Sequence, residues 1–199
     1  MTQAKDSNRG ENRKKTLFIP PETGLRRLEK SYSPVIQSDM KASIFFGSKS
    51  DTETMRKAAA VLKEFGVDYS SYIISAHRSG ELLAETVAKA EQDGTEVIIA
   101  GAGLAAHLPG VIASKTVLPV IGVPLDGGKV AGLDSLLSIV QMPKQIPVAT
   151  VGLDNATNAG YLAVEILAIK YPELKAKLVA FRKQLKDEAR AGLDPRVLG

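Results

Sequence analysis

The sequence predicts a three-layer, doubly wound α/β domain built on a parallel sheet. Three observations carry that expectation. From residue 41 onward, short continuous apolar runs alternate with segments of helical period. The runs lack the apolar/polar alternation of a strand with one wet face, so both faces of the sheet must be covered. Their order is strand, helix, strand, helix, as in βαβ units. The length of 199 residues suits one domain near the ~150-residue norm with an appendage.

Ala42 to Phe46 is the first buried-strand candidate, followed by Gly47-Ser48-Lys49-Ser50-Asp51 and a helix whose apolar face is Met55, Ala58, Ala59, Leu62 and Phe65. Gly66 is suited to close that helix in a left-handed conformation. A strand is expected around Tyr69 to Ile74, then Ser75-Ala76-His77-Arg78, then a helix from about Glu81 to Gln92 with Leu83, Val87 and Ala90 on one side, ended by Gly94. Glu96 to Ala100 follows as a strand, Gly101 to Gly110 as a small-residue segment, Ile112 to Lys115 as a helix and Pro119 to Val123 as a strand. Further candidates are a strand at Val148 to Val151, a helix at Asn155 to Lys170, and a charge-rich helix opened by Pro172 and running to about Glu188.

Residues 1–40 show neither period and include a Pro-Pro pair and a Ser-Pro, so they read as an irregular extension before a single domain over 41–199. The net charge of +4 belongs mainly to that extension. Eight of the 26 Lys/Arg and five of the 22 Asp/Glu fall within 1–40, leaving eighteen against seventeen in the body. A near-neutral body with few aromatics disfavours a nucleic-acid partner. The five acidic residues of 1–40 argue against an organellar transit peptide. No run reaches the ~18–20 apolar residues of a membrane span, so a soluble, cytoplasmic protein without a membrane partner is expected. The absence of cysteine excludes disulfides, thiolate metal sites and a cysteine nucleophile. With only two histidines, few groups remain for proton transfer near neutral pH.

Ligands of open α/β sheets bind beyond the carboxyl ends of strands, near a topological switch point. If the strand order is flavodoxin-like, the first strand lies between the second and third, and the three segments that follow them open into one crevice holding both histidines. Gly47 to Asp51 has the make-up of a phosphate cradle: a glycine for the tight turn, then Ser48 and Ser50 before a helix N-terminus. Asp51 repels phosphate and suits ribose hydroxyls; equally, Ser50 or Asp51 is simply an N-cap. His77-Arg78 pairs a titratable imidazole with a guanidinium fitted to phosphate, or else is an ordinary surface loop. Gly101 to Gly110 lets backbone approach a flat ligand closely, but the dinucleotide pattern fails at Ala106. His107 is either part of that crevice or a buried, hydrogen-bonded histidine. Gly132 to Pro143 is too apolar to lie exposed, which points to core packing or a subunit contact.

Together, GSKSD, SAHR, GAGLAAHLPG, GVP and GLDSLLSIVQMP, in this order and spacing, resemble the class I PurE family of N5-carboxyaminoimidazole ribonucleotide mutases over about residues 42–188. Leu104 stands where that family usually has glycine, Ser79-Gly80 where Thr-Pro is common, and Leu104 is expected to reshape the base pocket. The resemblance implies transfer of a carboxylate from an exocyclic nitrogen to ring carbon C4 in purine biosynthesis, without metal or organic cofactor, in a homo-octamer. It makes His77 the acid/base residue and Ser48, Asp51 and Arg78 substrate-binding positions, with Ser50 and Ser75 beside them. Ala100, Gly101, Gly103, His107 and Leu108 would line the base and carboxylate pocket. The alternatives are a class II enzyme that carboxylates aminoimidazole ribonucleotide with CO2, and a non-catalytic nucleotide-binding module.

Overall fold

The computed structural model describes residues 40–193. Apart from Met40, the expected extension lies outside the described residues. Five parallel strands, β1 (Lys41–Phe46), β2 (Asp68–Ile73), β3 (Val97–Gly103), β4 (Val120–Leu125) and β5 (Ala149–Thr150), form one sheet in the order β2-β1-β3-β4-β5. The chain moves outward from β1 to β2, then crosses back to β3, which puts the switch point between the carboxyl ends of β1 and β3, with that of β2 alongside. The fold is therefore the expected doubly wound, flavodoxin-like α/β arrangement.

Alternation along each strand distributes its side chains between two cores. Ala42, Ile44, Phe46, Val97, Ile99, Ile121, Val123 and Leu125 face α1 (Thr52–Phe65), α5 (Ala156–Leu167) and the start of α6 (Pro172–Ala191). Phe45, Ile98, Ala100, Ala102 and Val120 face α2 (Gly80–Gln92), α3 (Leu108–Ala113) and α4 (Leu133–Val140). The one hydroxyl that β1 buries, on Ser43, is satisfied by Thr95 at 2.7 Å. Burial also raises the Tyr161 phenol above its ordinary range, with Glu64 adding to the shift.

Small residues set the spacing. An added Cβ at Gly160 on α5 would lie 2.8 Å from Val61 Cβ and 3.0 Å from the Ala58 carbonyl oxygen, so α1 and α5 approach through a bare glycine. At Gly101 in β3 it would lie 2.4 Å from Met55 Sδ, which seats α1 over the strand.

Several elements differ from their expected limits, among them β4, which continues to Leu125, and α5, which ends at Leu167. β3 runs on through Gly101, Ala102 and Gly103, because pairing with β4 continues to Gly103 opposite Leu125 whatever the side-chain size. α3 begins at Leu108, before the expected Ile112, since Pro109 in its first turn lacks only an N–H that would be unpaired there. The expected strand at Val148 to Val151 pairs only over Ala149–Thr150. Helix α6 continues to Ala191. Within the apolar Gly132 to Pro143 stretch, α4 buries Ser135 and Ile139 but leaves Leu133, Leu137 and Val140 exposed. Core packing therefore accounts for only part of it.

Candidate active site

The three loops of the switch point enclose a cavity of about 540 Å³. From the loop after β1 come Gly47, Ser48, Ser50 and Asp51. Ser48 is extended (φ −146°) and caps a short 3-10 turn over Lys49–Asp51, its Oγ accepting the Ser50 N–H at 3.3 Å. Ser50 Oγ lies 2.8 Å from Ser48 Oγ and 3.0 Å from Asp51 Oδ1, so two hydroxyls and a carboxylate are gathered at the start of α1. Asp51 holds the N-cap position of α1 yet makes no side-chain capping bond. Of the two readings of this loop, capping is real but belongs to Ser48, and Asp51 is left facing the cavity.

The loop after β2 contributes Ser75, Ala76, His77 and Arg78. It is a tight turn in which the Arg78 and Ser79 N–H groups both donate to the Ser75 carbonyl, at 3.2 and 3.0 Å. Arg78 Nη2 reaches across to the Gly47 carbonyl at 3.4 Å, which ties this loop to the first. Arg78 is the one cation among the lining residues, and it stands beside the serine pair.

From the end of β3 come Ala102, Gly103, Leu104, Ala105, His107 and Leu108, and Gly127 joins from the loop after β4. His107 is exposed, which removes the alternative of a buried core histidine. Its Nδ1 lies 2.6 Å from His77 Nε2, with the rings edge to face at 4.6 Å between centroids. One nitrogen must donate and the other accept, so the contact holds a single proton and couples the tautomers of the two rings. If His77 donates, its Nδ1 is a free base and His107 Nε2 carries a proton. In either arrangement the pair can pass one proton to a ligand and take one back.

Nine of the eleven sequence-derived site residues therefore meet at this cavity: Ser48, Ser50, Asp51, Ser75, His77, Arg78, Gly103, His107 and Leu108. Ala100 and Gly101 do not line it. They lie inside β3 under its neighbours, Ala100 in the α2/α3/α4 core and Gly101 against Met55. Gly47, Ala76, Ala102, Ala105 and Gly127 reach the cavity too; all but Gly127 stand within the motifs that carry the resemblance, though none was named as a site residue by itself. Leu104, expected to alter the pocket, does line it. Among the described residues no cluster of three His, Asp or Glu side chains is placed to hold a metal ion.

Most of the described chain is similar to known proteins. The family model for AIR carboxylase matches residues 41–188, which is most of the chain and all five strands. The chain belongs to the AIR carboxylase family. Among curated members it is similar to the N5-carboxyaminoimidazole ribonucleotide mutase of Pyrococcus abyssi, with 60% identity over 73% of this chain and 84% of that one. Similarity to the mutases of Thermotoga maritima (54% identity; 74% and 86% covered) and Mycobacterium tuberculosis (51%; 74% and 84%) is comparable. Among solved structures, Treponema denticola PurE superposes with a TM-score of 0.73 at 26% identity, covering 80% of this chain and 99% of that chain. The AIR carboxylase match begins at the first residue of β1, so the residues before it lie outside the region shared with the family.

Proposed function

We infer that this chain is an N5-carboxyaminoimidazole ribonucleotide mutase, an isomerase of purine biosynthesis that moves a carboxylate from the exocyclic nitrogen of the ribonucleotide to ring carbon C4. The observation that carries the reading is the His77–His107 pair, 2.6 Å apart, set between a serine/arginine cradle and a wall of small residues. Identities of 51–60% to mutases from three organisms support the same activity.

The reaction explains why these residue types stand together. Protonation of the exocyclic nitrogen lets its bond to the carboxylate break, releasing CO2 and the free aminoimidazole. C4 then attacks that CO2, and loss of the C4 proton restores the aromatic ring. The proton delivered to nitrogen is balanced by the one collected from C4, so one acid/base group suffices. His77 takes that role, since an imidazole both donates and accepts a proton. His107 is coupled to His77 through their shared proton and faces the carboxylate. Ser48, Ser50 and Arg78 anchor the phosphate through hydroxyls and a charge-assisted fork, with Ser75 beside them, and Asp51 accepts from ribose hydroxyls. Gly103, Ala105 and Leu108 bound a small space where CO2 stays near C4.

The reading extends to a cytoplasmic homo-octamer acting on a small ribonucleotide. Exposed Leu133, Leu137 and Val140 on α4 support a subunit contact, and no described helix is long and apolar enough to cross a membrane. The deciding assay supplies the purified protein with either N5-carboxyaminoimidazole ribonucleotide or free aminoimidazole ribonucleotide plus bicarbonate. Rapid turnover of the first alone is expected. Turnover of the second alone identifies a direct carboxylase, and turnover of neither points to a binding module.

A further inference from the structure

Leu104 is a leucine where the backbone favours glycine. Its φ is 56°, in the left-handed region that residues other than glycine enter only at a steric cost. It is 54% exposed, so burial in the core does not compensate for that conformation. Such strain persists where the surroundings impose it, and it concentrates at functional sites.

The side chain makes a specific contact. A Cβ added to Gly128 would lie 2.9 Å from Leu104 Cδ2 and 3.1 Å from Asp134 Oδ2. Leu104 thus crosses from the end of β3 to the loop after β4 and rests against bare backbone, the neighbour of the cavity-lining Gly127. That loop carries left-handed residues of its own, Ala131 (φ 51°) and Gly132 (φ 75°), and is pinned at its start by the Asp126 N–H donating to Asp154 Oδ1 at 3.0 Å. Leu104 lines the cavity together with Gly127, the residue before its contact.

We propose that Leu104, packed on Gly128, is an apolar latch across the cavity edge that sets how much of the CO2 freed in the reaction is recaptured by C4 rather than lost to solvent. The proposal rests on the mutase reading. CO2 is small, uncharged and a poor hydrogen-bond partner, so serines, arginine and imidazoles retain it weakly. A close-fitting hydrocarbon side chain obstructs its path without offering water a polar foothold. The balance of the reaction is unchanged: the nitrogen–carboxylate bond breaks as the nitrogen gains a proton, and the carbon–carbon bond forms as C4 loses one. Leu104 alters only the fate of the intermediate pair. A failed latch yields free aminoimidazole ribonucleotide and CO2, with one proton taken up and not returned.

The test uses substrate labelled with 13C in its carboxylate, in unlabelled bicarbonate, and follows free aminoimidazole ribonucleotide and label retained in product, corrected for decarboxylation without enzyme. In Leu104→Ala, released aminoimidazole per product formed should rise roughly fivefold, the scale of losing a half-buried isobutyl contact, with KM little changed. Leu104→Met, which keeps the apolar reach, should restore most of the retention. Leu104→Gly should leak like alanine even though it relieves the backbone strain, which separates the side chain from the backbone as cause. Equal partitioning in wild type, alanine and glycine variants overturns the latch. Absence of product in the wild type would instead refute the mutase reading.

Discussion

At the residue scale, the catalytic assignment turns on one imidazole with one neighbour. His77 and His107 come from different loops, thirty residues apart, and meet because β1 lies between β2 and β3. Asparagine in place of His77 retains a donor and similar volume but cannot ionise. His77→Asn should therefore lower kcat by roughly 10²–10⁴-fold, the usual worth of a general acid/base, while KM changes little. Steady-state kinetics alongside circular dichroism checks this, and a folded variant with normal turnover would refute the role. The sequence marked both histidines because they followed strands and were the only two, which needs no knowledge of tertiary distance. It could not separate Ala102, which reaches the cavity, from Ala100, which does not. All the small residues of that run look alike until strand pairing shows where β3 stops.

At the element scale, the pattern of burial was legible wherever a period was long enough. The 3–4 spacing in α1 correctly gave Met55, Ala58, Leu62 and Phe65 as buried, and Leu83, Val87 and Ala90 in α2. Boundaries were not legible where small residues removed the apolar signal, as at the end of β3, or where proline stood in a first helical turn, as in α3. The packing of α1 on α5 was also hidden, because nothing in a lone glycine of a helical segment announces what it faces. Structure shows Gly160 against Val61 and the Ala58 carbonyl, both within 3.0 Å of an added Cβ. Gly160→Val should lower stability by about 1–3 kcal/mol through overpacking, despite removing a poor helix former. Thermal denaturation at fixed protein concentration reads the shift; an unchanged midpoint would mean that the two helices separate freely.

At the scale of the whole molecule, the apolar residues divide into those the chain buries for itself and those it leaves outside. Composition cannot draw that line, because a leucine awaiting a partner subunit and one in the core carry the same signal. Gly132 to Pro143 read as core or subunit contact for that reason, and the fold assigns Ile139 to the core while Leu133 (54%), Leu137 (44%) and Val140 (51%) stay exposed. Val130 and Leu153 are exposed as well, and exposed apolar residues in such numbers suit an interface. Leu153 packs on Gly132, at the end of the β4 loop on which Leu104 rests. The charge of Leu137→Lys would stay hydrated in an isolated subunit but would be stranded in a covered interface. We expect that variant to fold but to elute and scatter light as a smaller species than the wild type at micromolar concentration. It should also lose activity, because the β4 loop is no longer held. An unchanged mass would place the subunit contact elsewhere. A smaller mass with full activity would show that one subunit completes the cavity by itself.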